Sequence, residues 1–211
     1  EAKLAALQVL VKSHASSSHN LVYVAEGKHP IVETNQLELV TDLLGAKLGM
    51  RVNTYTGETP TAQREAYQNM LRSGQLQALI AMRCLDEGID IPEARRAFIL
   101  ASTQNPRQFV QRRGRVLRRD DAGGKTSAEI FDLLAVPDTP PPRGTAAFRL
   151  ERRLVGRELS RALELASASS NGRDVPPAAL VEAMERYDLV ELLADYLEPS
   201  DWDDGEANVY A

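Results

Sequence analysis

The chain has 211 residues, 43% of them apolar and 26% charged, with a formal net charge of -5. That profile belongs to a globular protein with room for one medium domain and a smaller appendage. No apolar run reaches the roughly 18–20 residues that cross a bilayer, so no membrane partner is expected. The opening residues, EAKLAALQVLVKSH, have neither a basic n-region nor a starting Met and read as an excised segment. One cysteine, Cys84, excludes an internal disulfide framework and a multi-Cys zinc site, and fits a reducing, cytoplasmic setting.

Elements follow in chain order. Residues 1–19 read as a helix that ends in the turn-rich HASSSHN, and NLVYVA (20–25) is a short buried strand. From Glu33 to Gly49, Leu37, Val40, Leu44 and Leu48 recur at helical spacing, with Gly49 as C-cap. RVNTYTG (51–57) is β-branched and aromatic, a strand closed by glycine. Thr59 and Pro60 open a helix that runs to about Arg72, where SGQ stops it. ALIAM (78–82) and RAFILAS (96–102) are further strands, with MRCLDEGIDIPEA looping between them. Pro106 starts a helix through an arginine cluster, DDAGGK ends it, and SAEIFDLLAV (127–136) is a fifth strand. After VPDTPPPRG, 145–170 and 177–197 read as two amphipathic helices, with apolar stripes at Leu154, Leu159 and Leu163 and at Leu180, Met184 and Leu192.

Near-continuous apolar strands alternating with helices define an α/β fold, a parallel sheet covered by helices on both faces. The reading divides the chain into a domain over 1–138, a helical extension over 145–198 and an acidic tail over 199–211 whose composition reads as flexible. The charge is uneven along these parts. Eight acids and no base follow Arg186, so the first 186 residues carry +3. A basic body therefore stands in front of an acidic tail, and net charge does not exclude a nucleic-acid partner.

The basic body peaks in FVQRRGRVLRR (109–119). On a helix Gln111, Arg115 and Arg118 share one face, an arrangement suited to a triphosphate because guanidinium pairs bidentately with phosphate oxygens. By itself such a helix equally suits a solvated basic face. Upstream, LDEGIDIPEA follows the strand ALIAM, so Gly88 and Asp90 fall at the carboxyl end of a parallel strand, where open α/β sheets bind ligands.

Taken in order, TGE, QRE, ALIAMRCLDEGIDIP and QRRGRVLR resemble the second RecA-like domain of a superfamily 2 DEAD/DEAH-type helicase or translocase, over about residues 20–136. ALIAMRCLDEGIDIP is similar to the family's motif V. QRRGRVLR matches the motif VI pattern Q-x-x-G-R-x-x-R, and YTGET with Gln63–Arg64–Glu65 resembles the segment between motifs IV and V. The resemblance implies that Arg115 and Arg118 are arginine fingers on the γ-phosphate of ATP, and that Gln111 contacts the nucleotide or the attacking water. It implies that Asp90 meets the ribose or braces the fingers and that Gly88 lends backbone to the nucleotide site. Thr56, Gly57, Arg64 and Arg83 would face nucleic-acid phosphates.

ATP and Mg2+ are the cofactors so implied, in a full-length protein whose first RecA-like domain brings the P-loop. This stretch by itself is expected to bind neither tightly and to be inactive. Met82 stands where many relatives have Thr, Glu87 where the RNA enzymes have Arg, and Gln111 where they have His. The last two departures resemble DNA-directed members, such as excision-repair and restriction-associated helicases, so DNA is expected over RNA, with repair or restriction proteins as possible partners.

Two features are read as decoys. GGKTS (123–127) has Arg119 where a Walker A loop needs Gly, and it precedes a strand. Asp86 and Glu87 are read as a helical turn rather than metal ligands, and His14, His19 and His29 lack ligand spacing. The rival reading is a non-catalytic RecA-like module that binds nucleic acid or protein. An RNA helicase domain is the second alternative. Arg152, Arg153, Arg157 and Arg161 in the extension are candidates for partner or duplex contact.

Overall fold

The computed structural model of the chain describes residues 2–14, 17–25, 35–82, 93–100, 125–171 and 175–197. These fall into two compact units, the first ending at Leu133 and the second beginning at Leu134.

The first unit is built on five parallel strands: β1 (Asn20–Val24), β2 (Val52–Tyr55), β3 (Ala78–Met82), β4 (Arg96–Ile99) and β5 (Glu129–Asp132). Their order is β2-β3-β1-β4-β5, with Val22 opposite Ile80 on one side and Phe98 on the other. Central β1 is buried at every position. That explains why NLVYV reads as a continuous apolar run rather than an alternating one.

Three helical segments lie among the described parts of this unit: α1 (Ala2–Lys12), α2 (Gln36–Thr41) and α3 (Thr61–Arg72). The helix expected over 33–49 is α2 continued by a π-helical stretch, Asp42–Lys47, in which Leu48 N–H reaches Leu43 O at 3.1 Å. Asn35 caps α2 by accepting from Glu38 N–H at 2.8 Å. Gly49 ends the helical stretch at φ 66, the left-handed backbone that an αL terminator requires.

Strand order explains where these helices sit. The β1-to-β2 connection moves out to the sheet edge and the β2-to-β3 connection returns. Crossovers of one hand must then run over opposite faces. Accordingly Val40, Leu43 and Leu44 join Leu7 and Val11 of α1 over Val22, Val24, Ile80 and Phe98. Phe98 and Phe131 stack on that face at 5.0 Å. The opposite face presents Leu21, Tyr23, Tyr55, Leu79, Ala81 and Ile99, all buried. There α3 supplies buried Leu71 and sets its Arg64 guanidinium over the Tyr55 ring.

The second unit holds α4 (Ala146–Ser167), α5 (Ala178–Arg186) and α6 (Leu192–Leu197). Phe148, Val155, Leu159 and Leu163 pack with Ala183, Met184, Tyr187 and Leu189. Leu134 and Val136, read from the sequence with the first domain, pack against this second core.

Two expectations are corrected. The helix over 177–197 is broken, because Asp188 adopts φ 54 and buried Leu189 turns into the core ahead of α6. Leu154 is 51% exposed, and Val155 takes the buried place between Phe148 and Leu159. Within GGKTS, Lys125 is a bridge residue, 3% exposed, shortly before β5. No helix among the described residues is long and apolar enough to cross a membrane.

Candidate nucleic-acid interface

Because β2 and β3 are parallel neighbours with Tyr55 opposite Ala81, the carboxyl ends of the two strands lie at the same edge of the sheet. Thr56 and Gly57 follow β2 there. Arg83, Gly88 and Asp90 follow β3 in sequence, and they, like Gln111, Arg115 and Arg118, lie outside the described residues, as does the acidic tail over 199–211.

The described part of the site is the turn between β2 and α3. Thr59 N–H donates to Thr56 O at 3.1 Å, and Thr56 N–H donates to Thr59 Oγ1 at 2.9 Å, so the two threonines close the turn from both ends. Glu58 N–H reaches Thr56 Oγ1 at 3.3 Å. Pro60 then leads into α3, whose first turn has no side-chain cap.

Arg64, expected to face nucleic-acid phosphates, sits in the first turn of α3 and packs against the loop. Its Nε donates to Thr59 O at 2.7 Å, and its Nη2 donates to Gly57 O at 2.9 Å and lies 3.4 Å from Thr56 O. The guanidinium carbon lies 5.4 Å from the centre of the Tyr55 ring, within cation–π range. Arg64 is half-buried, whereas Gly57, Glu58, Thr61, Ala62 and Gln63 are exposed. The structure therefore brings Thr56, Gly57 and Arg64 into one hydrogen-bonded group, with Gln63 on the solvent side of the same helix.

Sequence reasoning passed over Tyr55 and Thr59. The available signals were the T-x-x-T spacing of Thr56 and Thr59, which suits a side-chain-closed turn, and an aromatic as the last strand residue ahead of an arginine in the first turn of the following helix.

In the second unit, two of the four extension arginines are engaged internally. Arg152 donates to Tyr187 O at 3.1 Å and to Asp188 O at 2.6 Å and pairs with Glu191, while Arg161 pairs with Glu158 at 3.1 Å. Arg153 and Arg157 remain on the exposed side of α4. Tyr187 donates to Glu151 at 2.5 Å, and burial, reinforced by that carboxylate, pushes its phenol up to about 12. Among the described residues no group of His, Cys, Asp and Glu could hold a metal ion.

Residues 2–120 match the helicase conserved C-terminal domain, and the chain belongs to that family. It is similar to the helicase C-terminal domains of DNA translocases and helicases of the XPB type. It is 33% identical over 98 residues to the DNA 3'-5' translocase XPB2 of Sulfurisphaera tokodaii, a match covering 46% of this chain and 20% of that protein. It is 35% identical over 117 residues to the DNA 3'-5' helicase XPB of Mycobacterium tuberculosis, covering 52% and 21%. The chain thus matches about a fifth of the length of these curated relatives. Among solved structures, the C-terminal part of the Fun30 ATPase domain superposes with a TM-score of 0.50 at 16% identity, over 90% of this chain and 52% of that one. At that identity the likeness is one of fold, the RecA-like fold that the strand order also displays.

Proposed function

We propose that this domain is the second motor domain of an ATP-dependent DNA helicase or translocase. In this reading a first RecA-like domain of the same protein holds ATP and Mg2+, and Arg115 and Arg118 reach its γ-phosphate while Gln111 contacts the nucleotide or the attacking water. Guanidiniums placed there offset the charge that spreads over the phosphoryl oxygens as the bond breaks. Gly88 and Asp90 border the nucleotide, and Thr56, Gly57, Arg64 and Arg83 belong to the nucleic-acid track. Repair or restriction proteins of a reducing cytoplasm are the partners this reading favours.

The observation that carries it is the coincidence of family and topology. A chain of the helicase C-terminal family carries Q-x-x-G-R-x-x-R intact, and the sequence segments assigned to nucleic acid follow the carboxyl ends of neighbouring strands β2 and β3. DNA is favoured over RNA because the two XPB relatives carry DNA in their names.

The test uses the protein in which this domain is joined to a first RecA-like domain. Arg115→Ala is expected to lower DNA-stimulated ATP hydrolysis by about 10³-fold or more, the scale of an arginine finger, with DNA affinity nearly unchanged. ATP hydrolysis retained at the wild-type rate would refute the finger assignment.

A further inference from the structure

The turn after β2 has two sides, and Arg64 decides which side faces out. In a trans peptide the carbonyl and the N–H of the next residue point in opposite directions. Arg64 draws Gly57 O to 2.9 Å and Thr56 O to 3.4 Å of Nη2. Those two peptides therefore turn the N–H groups of Gly57 and Glu58 away from the guanidinium, on exposed residues. Gly57 N–H meets no acceptor among the described residues. Thr56 Oγ1 already accepts from Glu58 N–H at 3.3 Å, so its own proton is left to donate.

The same geometry turns the Nε–Nη2 edge of the guanidinium toward the loop. Nε and Nη2 are spent on three carbonyls, and the tyrosine ring lies beneath the guanidinium carbon. Arginine suits this place because a rigid fork reaches Thr59 O with one nitrogen and Gly57 O with another; a lysine ammonium, a single point on a flexible stem, does not span both.

We infer that Arg64 is a positioning residue: it sets the Gly57 amide and the Thr56 hydroxyl as a pair of neutral donors toward a nucleic-acid phosphate, and does not itself pair with that phosphate. The inference rests on the nucleic-acid reading of this edge, and it assigns Arg64 a role through the loop rather than through its charge.

The two roles leave different salt signatures. A cation that neutralises a phosphate of a single strand contributes about 0.7 to the slope of log affinity against log salt, whereas a neutral donor contributes none. The experiment measures binding of a fluorescent single-stranded oligonucleotide across a salt series for the wild-type chain, Arg64→Lys and Arg64→Gln. Amide exchange at Gly57, Glu58 and Thr59 is followed in parallel, with β1 amides as the control for folding.

Both variants are expected to weaken binding alike, by roughly 5- to 10-fold, the scale of one lost hydrogen bond. The salt slope should stay unchanged, and loop amides should exchange faster while β1 stays protected. A slope lowered by about 0.7 in Arg64→Gln and restored in Arg64→Lys overturns the inference, since Arg64 would then sit on the phosphate. Unchanged loop exchange overturns it as well. Wild-type chain that binds no oligonucleotide overturns the nucleic-acid reading and the phosphate role with it; faster loop exchange in the variants would then show that the clamp survives as a feature of the fold alone.

Discussion

The Arg64 guanidinium lies 5.4 Å over the ring of Tyr55, the last residue of β2, and from that platform reaches the three carbonyls of the following turn. A strand end, a turn and a helix are thereby tied at one point, at the edge of the sheet where parallel-sheet proteins bind their ligands.

Tyr55 is 1% exposed, so its ring is a fixed support for the cation. Tyr55→Phe keeps an aromatic face beneath Arg64 and is expected to leave loop protection near wild type. Tyr55→Leu removes a contact worth about 0.5–2 kcal/mol and should loosen the Thr56–Thr59 turn. Amide exchange at Glu58 and Thr59 in the two variants checks this; equal exchange in both would show that the ring gives the cation no support.

The helix α4 offers a paired test of burial. Leu159 is 0% exposed and Leu154 is 51% exposed, five positions apart on one helix. Leu159→Ala should cost about 2–5 kcal/mol in denaturant unfolding, through lost transfer energy and a cavity. Leu154→Ala should stay within about 0.5 kcal/mol of wild type. A comparable loss for both would contradict the packing described for the second unit.

Tyr187 predicts a pH dependence at the alkaline end. Its folded-state phenol is raised from 10.0 to about 12, chiefly by burial and then by the Glu151 hydrogen bond. Its contribution to stability is therefore full below pH 10, where both folded and unfolded phenols are protonated. It declines as pH rises through 10 toward 12, because the unfolded state loses its proton first. Denaturant unfolding at pH 9 and pH 11 should show the decline in wild type and a shallower one in Tyr187→Phe.

Thr145 caps α4 by accepting from Phe148 N–H at 3.1 Å. Thr145→Ala is expected to cost about 1 kcal/mol, and Thr145→Ser or Thr145→Asp to recover most of it. Thermal unfolding of the three variants measures the difference.

Much of the fold was legible along the chain because apolar periodicity records it. ALIAM and NLVYVA read as buried strands and became β3 and β1, and the arrest of the helix before β2 was marked by Gly49, a residue type that takes φ 66 at little steric cost. The break after α5 was not legible. MERYDLVELL keeps a helical apolar spacing throughout, and only packing of Leu189 onto the second core, with Asp188 in a left-handed backbone, interrupts it. Likewise Leu154 and Val155 are adjacent and similarly apolar, and a helix phase set by its neighbours chose Val155 for the interior.

By itself the sequence determined the alternation of strands and helices, the family and the order of its motifs, because these depend on residue type and spacing. Tertiary structure decided where Arg64 points. Along the chain it is an arginine in a Gln-Arg-Glu triplet, free to meet any anion. Folding places Tyr55 beneath it and turns three carbonyls toward it, and the directionality of those hydrogen bonds commits its Nε and Nη2 donors to the loop.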